Sequence, residues 1–431
     1  TAFQTITNGV GHAGANDTVW VSNGTYAISA AISVTKTVTV QSVTAGAAVV
    51  DGGGSTRCFY LNSAGAVLDG LVISNGAATS ASGAGVYMDA SGGVLRNCTV
   101  VSNRLLTGGY YGAGVYMANG TVSNCAIVGN NTGPALLNNA YGVGVYLSGG
   151  VLRNSIVSNN WLNTGDRGMG AGVRVSGGTV ESCTIVGNEN RGAGYVDSGG
   201  AGVYLDAGTV RKCLILGNRS LVVSRSGYSH DGGGVRMQGG LLENCVVRNN
   251  SSVQSGGGVH LQGGRILNCT IVSNAASAAN GGGINMAGGA VTNTIVYFNA
   301  ASSVAADNVY RTGGSFAYGC AAPLVAGAGA TNNIATDPDF AGLAAGNVRL
   351  LPRSGCVDAG TNLATVAADA EGTVRPQDGN GDGAAFHDLG AYEDDPAAGA
   401  LRCNFFPSTN YGFGSATVVF TAWVEGVSTS G

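Results

Sequence analysis

The feature that most constrains this chain is a repeat whose internal offsets never change. Eight copies between Gly83 and Asn299 align on Cys98, Cys125, Ser155, Cys183, Cys213, Cys245, Cys269 and Thr294. An asparagine follows each by five residues: Asn103, Asn130, Asn160, Asn188, Asn218, Asn250, Asn274 and Asn299. A glycine precedes each by five, from Gly93 to Gly289. The steps between copies run from 24 to 32 residues, and the extra length falls almost wholly after the asparagine. A fixed frame with insertions at one corner describes one coil wound many times, not a string of independent domains.

Within a copy, three short apolar stretches of period two are separated by Gly or Asn corners, as in Val115/Met117, Val122 and Cys125/Ile127. No tight two-residue hairpin loop joins them. They can instead wind as one coil, each strand pairing with its counterpart about 4.8 Å above and below. The expected fold is therefore all-β: a right-handed parallel β-helix with three strands per coil and about 9–12 coils. The expected division is an N-terminal cap segment over 1–16, the β-helix over 17–299, and irregular final coils with a C-terminal cap over 300–395. Residues 396–431 read as a linker and a partial β-sandwich-like segment, from a fragment or from a chain that donates strands. In the first of these segments, Phe3, Ile6 and Val10 stand at near-helical spacing.

Composition excludes several classes. Of 431 residues 75 are glycine, without the three-residue period of collagen, and charged residues make up only 10%. A net charge of −4 with two lysines, Lys36 and Lys212, gives no footprint for nucleic acid. No apolar run is long enough to span a membrane as a helix. Thr1 reads as a trimmed start, so the lack of a visible signal peptide does not argue for the cytoplasm.

The frame G-G-G-V-x…N-C-x-I-x-x-N resembles right-handed β-helix proteins of the pectate-lyase-like superfamily, and more narrowly the repeats of large secreted bacterial surface proteins. Pro352–Gly360, Arg375–Gly379 and Asp388–Glu393 are similar to the end of those β-helix domains, which commonly precedes a surface-anchoring segment of the choice-of-anchor type. Residues 401–424 resemble the start of a PKD- or immunoglobulin-like module. The resemblance implies a secreted or cell-surface protein of bacterial type. It leaves activity open, because the superfamily holds lyases, hydrolases, adhesins and passive stalks.

Four columns of residues follow from the frame. The asparagines are expected to sit at left-handed corners and to hydrogen-bond to one another along the axis. The cysteines share parity with Val100, Ile127 and Ile215, so they are expected inside as free thiols. Cys320 and Cys356, in the irregular end, are the better candidates for a disulfide. Outward-facing Arg96, Ser123, Arg153, Glu181, Arg211 and Glu243 are expected to form exposed ion pairs of little individual worth.

The fourth column carries the functional expectation. Tyr87, Tyr116, Tyr146, Arg174, Tyr204, Arg236, His260 and Asn285 occupy the outward slot after G-x-G, and Tyr60 holds the same slot in the degenerate copy around Cys58–Leu61. They form either a self-stacking ladder or a platform on which sugar rings lie, so a polysaccharide or cell-surface glycan is the candidate ligand. The longest loops, Asn131–Tyr141, Glu189–Gly199 and Arg219–Asp231, adjoin it and carry Asp197, Arg225, Tyr228, His230 and Asp231. An enzyme of the lyase type would draw on Arg174 or Arg236 as base, with Asp206, Asp231 and His230 nearby. Asp378, Asn380 and Asp382 match the first half of a calcium loop, with Asp388 beside the position where a glutamate is expected, which suggests a structural Ca2+.

The expectation is a non-catalytic stalk, adhesin or filament subunit that needs no cofactor. Open β-helix ends and the C-terminal strands would allow self-association. A polysaccharide lyase of the same fold is the alternative.

Overall fold

The computed structural model describes residues 2–79, 81–133, 139–165, 167–192, 198–221, 230–278 and 280–394. Three long parallel sheets form the faces of a right-handed β-helix. Among the described residues the first sheet has 11 strands, the second 13 and the third 11. One coil passes through Val115–Met117 in the first, Thr121–Ser123 in the second and Ala126–Val128 in the third. Each strand pairs in register with its counterparts one coil away, so Val86, Val115 and Val145 lie in one line. Stacking of about 11 coils at 4.8 Å makes a rod on the order of 50 Å long.

Period two decides what is inside. Val115 and Met117 are fully buried while Tyr116 between them is not. Val122 and Ile127 fill the other two sides, and fully burying such a side chain contributes about 1.5–3 kcal/mol. Short additional strands form where copies are longest. Tyr110–Tyr111, Ala140–Tyr141, Gly168–Met169, Ser198–Gly199 and His230–Asp231 stack into a further sheet just ahead of the first.

The asparagine column is a continuous amide ladder. From Asn103 to Asn299, each Nδ2 donates to the Oδ1 of the next asparagine at 2.9–3.0 Å. The same oxygen accepts the backbone N–H of the preceding asparagine, and each Nδ2 also donates to a carbonyl of the coil before. Asn308 extends the ladder although it stands outside the repeat offsets. None of the repeat asparagines occupies the left-handed region, contrary to expectation. The residue before each one does: Ser102, Gly129, Asn159, Gly187, Gly217, Asn249, Ser273 and Phe298. That turn aims the next side chain inward, where an amide at a left-handed φ would not point down the axis.

The cysteine column is buried, with free thiols. Each thiol donates to the carbonyl two residues earlier, as Cys125 Sγ does to Ser123 O at 3.2 Å. Ser155 and Thr294 make the same bond, which explains why they share the slot. Burial pushes the Cys125 thiol up to about 12, so it is protonated and inert. Cys320 and Cys356, the better disulfide candidates, are likewise buried free thiols.

At the N-terminal end Ile6–His12 is helical, capped by Thr5 Oγ1, and buries Ile6 and Val10 against the first coils. Phe3 is exposed. At the other end, Val309–Arg311, Ser315–Ala317 and Ala330–Thr331 continue the coils. Residues 339–394 then fold back as a strap along the third sheet. Asn244 and Asn293 hold it by donating to Ala368 O and Thr361 O at 2.8 Å. Tyr392, Ala391 and Val348 of the strap pack on Val246 and Val272, while Leu350, Val357 and Leu389 pack on Ile295. Residues 396–431, read as a linker and β-sandwich-like segment, lie outside the described residues.

Candidate functional site

The candidate site is the outward column of the first sheet. In-register parallel pairing sets Tyr60, Tyr87, Tyr116, Tyr146, Arg174, Tyr204, Arg236 and His260 one above the other. At this spacing the tyrosine rings stack on one another. Tyr87 and Tyr116 have centroids 4.6 Å apart at 10°, Tyr116 and Tyr146 5.4 Å at 7°, and Tyr60 and Tyr87 5.6 Å at 27°. Their faces are therefore turned to each other, and the half-buried column shows solvent its ring edges and hydroxyls. A sugar ring cannot lie flat on this column as the platform reading requires.

The hydroxyls sit among polar partners. Tyr60 Oη donates to Asp89 Oδ2 at 3.0 Å and accepts from Asn62 Nδ2 at 3.1 Å, and Ser176 Oγ donates to Tyr146 Oη at 3.0 Å. Burial raises the Tyr116 hydroxyl, with neighbouring Tyr87 adding to it.

Arg174 continues the stack as a cation. Its guanidinium lies 4.6 Å from the Tyr141 ring centroid, 5.4 Å from Tyr204 and 5.8 Å from Tyr146. Its Nε donates to Asp206 Oδ2 at 2.8 Å, the ion pair that brings these two predicted residues together.

The upper part of the column is buried rather than exposed. Tyr204, Arg236 and His260 are 3%, 0% and 4% accessible. Arg236 Nη1 donates to Ser198 O at 2.8 Å and Nη2 to Gln262 Oε1 at 3.3 Å, and its guanidinium lies over Tyr204 at 5.7 Å. Burial, reinforced by Arg236, lowers His260 to about 3, so it is neutral. The expectation of a surface stripe therefore fails above Arg174. Met169 packs on Tyr204 and Ser198 O caps Arg236, both from the sheet just ahead of the first, contacts that one-coil periodicity does not show. The backbone sets His230–Asp231 beside Ser198–Gly199, and their side chains, with Asp197, Arg225 and Tyr228, lie outside the described residues.

Two contributors were missed by sequence reasoning. Tyr111 lies 4.4 Å from the Tyr146 ring and 5.1 Å from Tyr141, forming a second aromatic column beside the first. The signal was an aromatic residue immediately before the first glycine of Gly112-Ala113-Gly114 and Gly142-Val143-Gly144. On the second sheet Arg211 pairs with Glu181 at 2.7 Å as expected, whereas Arg96 pairs with Asp69 at 2.8 Å, a residue outside the expected set, and Ser123 and Glu243 are buried rather than exposed.

The four predicted calcium ligands do not form one donor set. Both Asp378 carboxylate oxygens accept backbone N–H groups of residues 381–383, Asn380 Oδ1 accepts from Asp382 N, and Asp382 Oδ1 accepts from Ala384 N. It is Asp358, not Asp388, that reaches this loop, through Asn380 N at 2.9 Å. Asp388 is buried, accepts from Asp358 N and Asp394 N, and is pushed up to about 8 by burial beside Glu393. Among the described residues no three His, Cys, Asp or Glu side chains converge as metal ligands.

Residues 17–227 match the family model described as the right handed beta helix region. A comparison with curated proteins gives no match. Among solved structures, the crystal structure of pectate lyase Pel9A aligns with a TM-score of 0.42 and 14% identity, over 90% of this chain and 91% of that chain. That similarity is too low to carry chemistry from one chain to the other.

Proposed function

We propose that this right-handed β-helix is a non-catalytic rod of a secreted or cell-surface protein, a stalk or adhesin body. One observation carries the reading: the candidate catalytic arginines are committed to the scaffold. Arg174 is paired with Asp206 inside a cage of three tyrosine rings, and Arg236 is fully buried on Ser198 O and Gln262. Arg236, fully buried, cannot meet a proton on a polymer, and Arg174 would have to leave its ion pair with Asp206 to do so. Placement outside the cell and a bacterial source rest on the repeat's resemblance alone.

The test is incubation with a panel of uronate polymers, following absorbance from new unsaturated ends. No turnover is expected. Turnover that disappears in a folded Arg174→Ala or Arg236→Ala variant would overturn the reading in favour of a polysaccharide lyase.

Glycan contact belongs to this proposal in a modified form. The half-buried phenol edges of Tyr60, Tyr116 and Tyr146, alternating with Asp89, Asn62 and Ser176, suit hydrogen bonds to sugar hydroxyls rather than ring stacking. Glycan-array binding lost in Tyr116→Phe plus Tyr146→Phe would support it, because those variants keep the rings and remove only the hydroxyls. Self-association through the open ends is tested by sedimentation at high protein concentration, where a uniform monomer would count against it.

A further inference from the structure

We propose that Cys320 and Cys356 are a reversible redox pair whose disulfide fastens the strap to the last coils of the rod. Both side chains are fully buried in one apolar cluster with Ile295, Leu350 and Leu389, where the strap meets the third sheet. The Cys356 thiol is the neighbour that most raises the Cys320 thiol, ahead of burial. Their backbones are held from different directions. Cys320 sits in a coil, donating to Thr294 O and accepting from Val296 N, while Cys356 O accepts from Leu389 N within the strap.

This pair differs from the cysteine column in geometry. Column members stand on consecutive in-register strands with side chains pointing the same way, an arrangement that disfavours the dihedral a disulfide needs. Their thiols are also turned back along their own chain: Cys98, Cys125, Cys183, Cys213, Cys245 and Cys269 each donate to the carbonyl two residues earlier. Cys320 breaks that habit. Its thiol donates to Thr336 O at 3.1 Å, away from its own strand and toward the segment that leads to the strap.

Formation of the bond requires an oxidant, here a small-molecule disulfide such as glutathione disulfide. One thiolate attacks it to give a mixed disulfide and one free small thiol. The second protein thiol then displaces the other small thiol. Two protein S–H bonds are lost, one S–S bond forms, and two protons and two electrons leave on the two reduced small thiols. The neighbouring Cys356 thiol and burial hold the Cys320 thiol protonated, so attack waits for a local opening of the strap. Once formed, the bond links positions 36 residues apart and keeps the strap closed.

The experiment equilibrates the full chain with glutathione disulfide, denatures it, alkylates free thiols and maps the peptides by mass spectrometry. The expected result is one linked peptide pair containing Cys320 and Cys356, with the column cysteines alkylated. Protease cleavage within residues 339–394 should be at least tenfold slower in the oxidised protein, and that difference should vanish on reduction. Cys320→Ser, which keeps a side-chain donor for Thr336 O, should leave Cys356 alkylated and the strap equally cleavable in both redox states. Alkylation of all ten cysteines, a link within the column, or a link to Cys403 would each overturn the proposal.

Discussion

Asn130 donates to Asn160 Oδ1 twice, through Nδ2 at 3.0 Å and through its backbone N–H at 2.9 Å. One amide oxygen thus satisfies a side chain and the main chain of the coil below, at zero exposure. Replacing Asn160 by Ala removes the acceptor of that N–H, one of the two acceptors of the Asn130 amide, and the donor to the Ile127 carbonyl. At about 1–3 kcal/mol for each buried group left unsatisfied, the loss should be several kcal/mol. Denaturant unfolding measures it, and a loss below about 1 kcal/mol would show that water replaces the amide.

Gly114 exists to admit this ladder. A Cβ there would stand 2.5 Å from Gly144 O and 3.0 Å from Asn130 Nδ2. Gly114→Ala should therefore cost about 1–3 kcal/mol through overpacking. Gly217 is a different case, with φ +58° and nothing within 4 Å of its Cβ position. Gly217→Asn should be nearly neutral, because asparagine holds the equivalent left-handed site at Asn159 and Asn249. Thermal melts of the two variants separate close approach from backbone strain.

His260 makes the rod acid-sensitive. Its pKa falls from an ordinary 6.5 to about 3 in the folded chain. Its contribution to stability is thus present above pH about 6.5 and is lost as pH falls toward 3, because the unfolded chain takes up the proton first. His260→Asn, the residue that follows it in the column at Asn285, should flatten the fall in the urea midpoint between pH 7 and pH 4. An unchanged slope would place the acid lability elsewhere, with His387, lowered to about 4, the next group to change.

The strap should come away before the rod unfolds. Asn293 Nδ2 donates to Thr361 O at 2.8 Å, and its Oδ1 accepts Thr361 N at 2.9 Å. Asn293→Ala should speed proteolysis within the strap by about tenfold, equivalent to roughly 1.4 kcal/mol of local opening, with little change in global unfolding. Equal effects on both would mean that strap and rod open as one unit.

Much of this architecture was legible in the sequence because a coil is a local object. Fixed offsets force residues such as Val86, Val115 and Val145 into one line, and period two then decides which side chains face in. The inward cysteines, the asparagine ladder and the order of the tyrosine–arginine column followed from those two rules. What a residue meets beyond its own coil did not follow. The contacts that bury Tyr204 and Arg236 come from a sheet ahead of the first, and the aromatic column of Tyr111 and Tyr141 lies on that same addition. The sharing of Asn293 with Thr361, and of Ile295 with Leu389, depends on a strap that returns across 68 and 94 residues of chain. Periodicity encodes contacts one coil apart. Contacts between a repeat and a non-repeating segment are set by packing alone, and only the tertiary structure decided them.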